Sequence, residues 1–173
     1  MERLSKPARA WSAIRSAFAL RKDKGKLLMD LIELRLILEP SIAALAAARR
    51  TDEDIERIRE AQDEAQRMVD AGENHGNADA RFHAAIAQAS QNSVSSVMVP
   101  ILNKSVDLVA SISGKGSLDR TMQFHRDIFK AIEKGDPEES ERIMREHLKD
   151  HRNFVFRVFG RADALSNLEP QPQ

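Results

Sequence analysis

Asp79 and His83 stand four residues apart within Asn77-Ala78-Asp79-Ala80-Arg81-Phe82-His83-Ala84-Ala85-Ile86, a stretch rich in Ala and free of Gly and Pro. That composition predicts a helix whose apolar stripe is Ala78, Phe82 and Ile86. The carboxylate and the imidazole then share a face beside the stripe. Turned toward a helical core, they must be paired, protonated or bound to a cation, because an isolated charge there is costly. A divalent metal satisfies both; so does a plain Asp–His hydrogen bond that only holds the helices together. His125, His147 and His151 fall on or beside later apolar stripes, whereas His75 lies in a Gly/Asn-rich turn and reads as exposed. Three helices each aiming an imidazole inward, with a carboxylate beside one of them, offer the ordinary donors for Zn, Ni, Mn or Fe in a site without cysteine.

The elements that must position these groups are helices. Tyr is absent, β-branched residues are scattered and no stretch alternates, so an all-α fold is expected. A first long helix runs from about Leu27 to Arg49, with a kink or break expected near Glu39 because Pro40 sits inside it. Thr51-Asp52-Glu53-Asp54 reads as an N-cap and acidic first turn of a second helix that Gly72 ends. The Asp79 helix follows and stops near Gln91-Asn92. A fourth helix, about Ser93 to Ser113, is apolar on more than one side and contains Pro100, which should bend it; it is either central or covered by a partner subunit. Ser117 can cap a fifth helix carrying Met122, His125 and Ile128. Gly135-Asp136-Pro137 is a stop followed by a start, and the sixth helix carries Met144, His147, Leu148 and His151.

Composition bounds the function. The chain has 173 residues, a formal net charge of zero and no Cys. Disulfides and thiolate metal sites are excluded, and the overall charge points to no polyanion partner. No apolar run approaches the roughly 20 residues that span a bilayer, so a soluble, cytoplasmic protein without membrane contact is expected.

Four pieces, in order, carry a family resemblance. They are Glu33-Leu34-Arg35-Leu36-Ile37-Leu38-Glu39-Pro40 before an Ala-rich run; Asp79-x-x-Phe82-His83-x-x-Ile86; Phe124-His125-Arg126-x-Ile128 with Gly135-Asp136; and Met144-x-x-His147-Leu148. Together they resemble the FCD domain, the C-terminal effector domain of FadR-type GntR transcriptional regulators, over about Leu27 to Phe154. The resemblance implies an antiparallel bundle of six or seven helices around an interior metal and ligand cavity. It implies Asp79, His83, His125 and His147 as ligands of a divalent ion, with Zn, Ni or Mn as the expected metals; periodicity alone does not choose His147 over His151. It further implies a homodimer and an organic-acid or sugar-acid effector whose binding alters DNA affinity.

Three imidazoles and one oxygen leave coordination positions open for such a carboxylate. Arg35, on the apolar face of the first helix, is its natural second contact, since a guanidinium grips a carboxylate in two places. An ion pair with Glu39 one turn on accounts for Arg35 equally well. Asn103 and Ser105 face either the cavity, solvent or a partner. A full regulator also carries a winged helix-turn-helix, and the 26 residues before Leu27 show no such pattern. Residues 1–26 are therefore read as a linker remnant, 27–159 as the effector-binding bundle and 160–173 as a polar tail, with DNA reached only through a domain this sequence lacks. Two other classes compete: a metal-dependent hydrolase, for which no H-E-x-x-H, E-x-x-H or nucleophile motif is present, and a structural bundle whose His and Asp form a closed polar core.

Overall fold

The structure, a computed structural model, describes residues 24–103 and 115–166. Residues 1–23, most of the stretch read as a linker remnant, the later half of the fourth apolar segment with Ser105, and residues 167–173 lie outside the described residues. The described residues form six helices and no strand: α1 (Lys24–Arg49), α2 (Asp52–Asp70), α3 (Gly76–Ala89), α4 (Ser93–Asn103), α5 (Lys115–Lys134) and α6 (Pro137–Ser166). None is long and apolar enough to cross a membrane.

Helix ends follow local chemistry. Thr51 Oγ1 accepts from Asp54 N at 3.2 Å while Asp54 Oδ2 accepts from Thr51 N at 3.0 Å, a reciprocal capping box opening α2. After α2, Gly72 takes φ +70°, and Glu73 N and Gly72 N close back on Met68 O and Val69 O. Gly135, at φ +72°, ends α5 in the same way through Asp136 N to Ala131 O and Gly135 N to Ile132 O. Both are left-handed stops in which a Cβ costs energy. Asp136 Oδ1 then accepts from Glu139 N at 3.0 Å, with Pro137 as the first residue of α6.

Several boundaries differ from the sequence reading. α1 starts at Lys24, includes Gly25, and runs unbroken through Pro40. Proline removes one backbone hydrogen bond and crowds the preceding turn, at a cost of about 3 kcal/mol. Buried residues on either side of it, Arg35, Glu39, Ile42 and Ala43, hold the helix in line. α5 begins at Lys115, so Ser117 lies inside the helix and its carbonyl accepts from Thr121 Oγ1 at 3.1 Å. α6 passes Gly160 and reaches Ser166, well into the stretch read as a tail.

Two helices form the spine. Leu28 and Ile32, early in α1, pack with Val155, late in α6, whereas Ala43 O, late in α1, accepts from Ser140 Oγ near the start of α6. α1 and α6 are therefore antiparallel. α2 packs on α3 and α5, α3 on α1 and α4, and α5 on α6. The largest apolar cluster takes Ile42, Ala46, Ile58, Phe82, Ile86, Val99, Ile128, Ile132, Met144 and Leu148 from all six helices. Two smaller clusters, Leu28/Ile32/Val155 and Ala65/Ala78/Met122, lie apart from it. Along α1, buried Arg35 and Glu39 separate Ile32 of one cluster from Ile42 of another; along α5, His125 separates Met122 from Ile128. A polar layer thus crosses the bundle between apolar ones.

Candidate metal centre

Helix periodicity aims the polar layer inward. Asp79 and His83 flank Phe82 on α3; His125 lies one turn before Phe129 on α5; His147 adjoins Leu148 on α6. All four are buried, as are Arg35 and Glu39 of α1 and His151 of α6. Phe82 stacks on the His125 ring with centroids 4.1 Å apart and an interplanar angle of 17°, which fixes that ring.

The three imidazoles of His83, His125 and His147 each offer a nitrogen, and these nitrogens lie within 4.8 Å of one another. His147 Nε2 is 3.3 Å from His83 Nε2. Asp79 Oδ1 is 3.3 Å from His125 Nε2, close but not aligned for a hydrogen bond, and Asp79 Oδ2 is 3.9 Å from His83 Nε2. Such spacings suit donors sharing one ion at about 2.1 Å each. Neither carboxylate oxygen of Asp79 has a hydrogen-bond partner. A fully buried carboxylate with no donor is expensive, and a cation is the economical remedy. The donor set therefore fits a divalent ion. His151 is buried with its ring centroid 4.5 Å from that of His147, but it does not join the converging nitrogens.

Glu39 organises the other side. Its Oε1 accepts from Arg35 Nε at 2.7 Å, and its Oε2 lies 2.6 Å from His83 Nδ1. A carboxylate at Nδ1 favours the proton there, leaving the Nε2 lone pair turned toward His147 and Asp79, the arrangement that orients and strengthens a ligating histidine. Arg35 Nη2 is 3.2 Å from His83 Nε2, and its Nη1 is buried without a partner. The sequence reading named Glu39 only as a partner for Arg35. The ion pair it offered as an alternative exists, and the contact with His83 was missed because i to i+4 spacing relates residues within α1, not across to α3.

Electrostatics follow from burial. Burial pushes the Glu39 carboxyl up, but Arg35 and His83 outweigh it and hold its pKa at about 2. Burial likewise opposes ionisation of Asp79, yet contact with His125 and the field of His83 keep it well below the ordinary carboxylate value. His147 and His125 are pushed down chiefly by burial, the first far below an ordinary histidine. Burial also lowers His151 to about 3, against the partial pull of Asp79. Neutral imidazoles beside an ionised carboxylate are the protonation states a metal requires.

One polar residue departs from the sequence reading, and one that was left open is now placed. His75 is buried at the N-cap of α3, where its carbonyl accepts from Asp79 N at 2.9 Å. Its Gly and Asn neighbours signal a turn, which need not be exposed. Asn103, left open between cavity, solvent and partner, is fully buried at the end of α4.

Comparison with known proteins identifies the family. The FCD domain family model matches residues 30–150. The HTH-type transcriptional regulator LutR of Bacillus subtilis (strain 168) is 32% identical over 152 residues, covering 83% of this chain and 68% of LutR. The galactonate operon transcriptional repressor of Escherichia coli (strain K12) is 29% identical over 119 residues, 67% of this chain and 52% of that protein. A solved structure of Streptococcus agalactiae GntR superimposes with a TM-score of 0.70 at 33% identity, over 79% of this chain and 62% of that one. This chain thus spans about half to two thirds of the length of these proteins. They are regulators, and the matched domain is regulatory rather than catalytic. The chain belongs to the FCD domain family, the effector-binding domain of GntR-type transcriptional regulators.

Proposed function

We propose that Asp79, His83, His125 and His147 hold a divalent cation, with Zn, Ni or Mn as the candidates, and that the cation and Arg35 together bind a small carboxylate effector in an interior cavity. The observation that carries this reading is the buried Asp79 carboxylate, 3.3 Å from His125 Nε2 and 3.9 Å from His83 Nε2 with neither oxygen hydrogen-bonded, at the place where three imidazoles converge. Arg35 supports the second half. Its Nε and Nη2 are engaged by Glu39, Nη2 also lying 3.2 Å from His83 Nε2, while Nη1 is buried and free to donate. An incoming carboxylate would take that donor and an open position on the ion. The effector's class, an organic or sugar acid, rests on family membership, and the galactonate repressor's name is consistent with it.

Effector binding would act on DNA through a winged-helix domain outside this sequence, in the cytoplasm and in a homodimer. Leu34 and Ile37 on α1 and Val94, Val97 and Met98 on α4 are exposed apolar side chains, candidates for the contact with a second copy. Elemental analysis of untagged protein and thermal melts with added divalent ions test the centre directly. An ion held at 100 times its dissociation constant should add about 2.7 kcal/mol. Protein without stoichiometric metal and without a shift in melting temperature would return the site to a closed polar core.

A further inference from the structure

Phe156, on α6, is the largest apolar side chain left in water among the described residues, 66% exposed. It sits where the spine ends. Its neighbour Val155 packs against Leu28 and Ile32 of α1, four and eight residues after Lys24, the first residue of that helix. In two antiparallel right-handed helices, the residues that follow the contact residues turn to the same side of the seam. Met29, after Leu28, and Phe156, after Val155, therefore flank it together, and Met29 is only half-buried. Arg152 lies one turn before Phe156 on that side, exposed and without an acidic partner among the described residues. An aromatic ring, a thioether and a bare guanidinium make a surface suited to aromatic and aliphatic side chains.

We propose that this seam is covered by the chain's own residues 10–20. Their sequence is amphipathic: Trp11, Ile14 and Phe18 recur at helical spacing, with Ala10 and Ala17 beside them. Their place in the chain brings them there. Three residues, Arg21-Lys22-Asp23, separate Leu20 from the start of α1, enough for the tight connection of two antiparallel helices. Folded back at the helical rise, Ile14 comes level with Met29 and Phe156, and Trp11 with Arg152, whose guanidinium can stack on the indole. A helix in that groove would also fix the direction in which the preceding chain leaves the bundle. None of these residues belongs to the polar layer, so the docking stands apart from the metal and effector readings.

Trp11 is the chain's single tryptophan, so the intrinsic fluorescence of the full chain reads its surroundings. Docked, its emission should be blue-shifted, and its quenching by acrylamide several-fold weaker, relative to a synthetic peptide of residues 1–23. Phe156→Ser, a polar change at an exposed position, should still melt cooperatively while emission and quenching return toward those of the peptide. Met29→Gln, similar in length but polar, should do the same and decides the matter where Phe156→Ser does not fold. Ile37→Ser, at a comparably exposed position on the far side of α1, should leave the docked signal unchanged. Peptide-like emission in wild type, or a docked signal indifferent to the seam variants or equally sensitive to Ile37→Ser, would overturn the assignment. A docked signal that vanishes on dilution to the monomer would place the segment on a second copy and likewise overturn it.

Discussion

Asp79 carries the charge for which the rest of the polar layer is arranged, and substitutions around it should separate holding a cation from filling space. His83→Ala and His125→Ala remove one converging nitrogen each and should abolish stoichiometric metal; His151→Ala should retain it, because His151 stands outside the converging set. Metal retained by His125→Ala, read by elemental analysis, would show the wrong ligands had been chosen. Glu39→Gln keeps an oxygen near His83 Nδ1 but removes the charge, and should weaken metal binding about 10- to 100-fold, as loss of a ligand's supporting carboxylate does. Arg35→Ala should keep the metal and lose organic-acid binding. It also leaves Glu39 buried without its closest cation, at a cost of about 3–5 kcal/mol, so melting temperature and acid affinity must be measured together. The pH dependence has one sign throughout. His125, His147 and His151 bind protons more weakly folded than unfolded, so stability falls as pH drops below about 6.5 and continues toward the His151 value of about 3. Asp79 and Glu39, lowered as well, withdraw their contribution below about pH 4. Metal-free protein should therefore melt at steadily lower temperature from pH 7 to pH 4 by calorimetry; a flat profile would mean that these imidazoles are not buried neutral.

At the scale of elements, what could be read in advance was what is chemically local. Thr51, Gly72 and Gly135-Asp136-Pro137 each act through backbone groups a few residues away, and the structure places helix ends at each. Pro40 shows the limit: its local cost is real, but packing across α1 and α6 decides whether the helix continues, and that is not written in its neighbours. His75 and the Glu39–His83 contact escaped for the same reason, since burial and cross-helix pairing belong to the assembled bundle. Among the site residues, Asp79, His83 and His125 announced themselves by their stripes, whereas His147 needed the family pattern to separate it from His151. Two substitutions check the local part. Thr51→Ala should lower stability by about 1 kcal/mol through loss of the capping box. Gly135→Ala should cost about 1–2 kcal/mol for a Cβ at positive φ, and it must also displace the Arg50 guanidinium, which donates to Ala47 O and Glu133 O at the ends of α1 and α5. Denaturant midpoints read both.

For the whole molecule, the exposed apolar side chains of α1 and α4 and the buried polar layer make different demands. If the proposed homodimer uses these side chains, Met98→Glu with Val97→Asp should shift sedimentation toward the monomer while leaving metal content unchanged, because both are exposed whereas the histidine set is buried. An unchanged sedimentation coefficient would move the interface elsewhere. The polar layer has a consequence for how such a domain changes over generations. Removing one member strands the others as uncompensated dipoles and charge in a dry interior, whereas exchanging the whole set for hydrocarbon of equal volume is close to neutral or even strengthening. If the layer holds an ion as proposed, descendants that abandon it should therefore lose these residues together, in a single concerted repacking. A lineage caught halfway would be fragile, and that fragility guards the centre against gradual erosion.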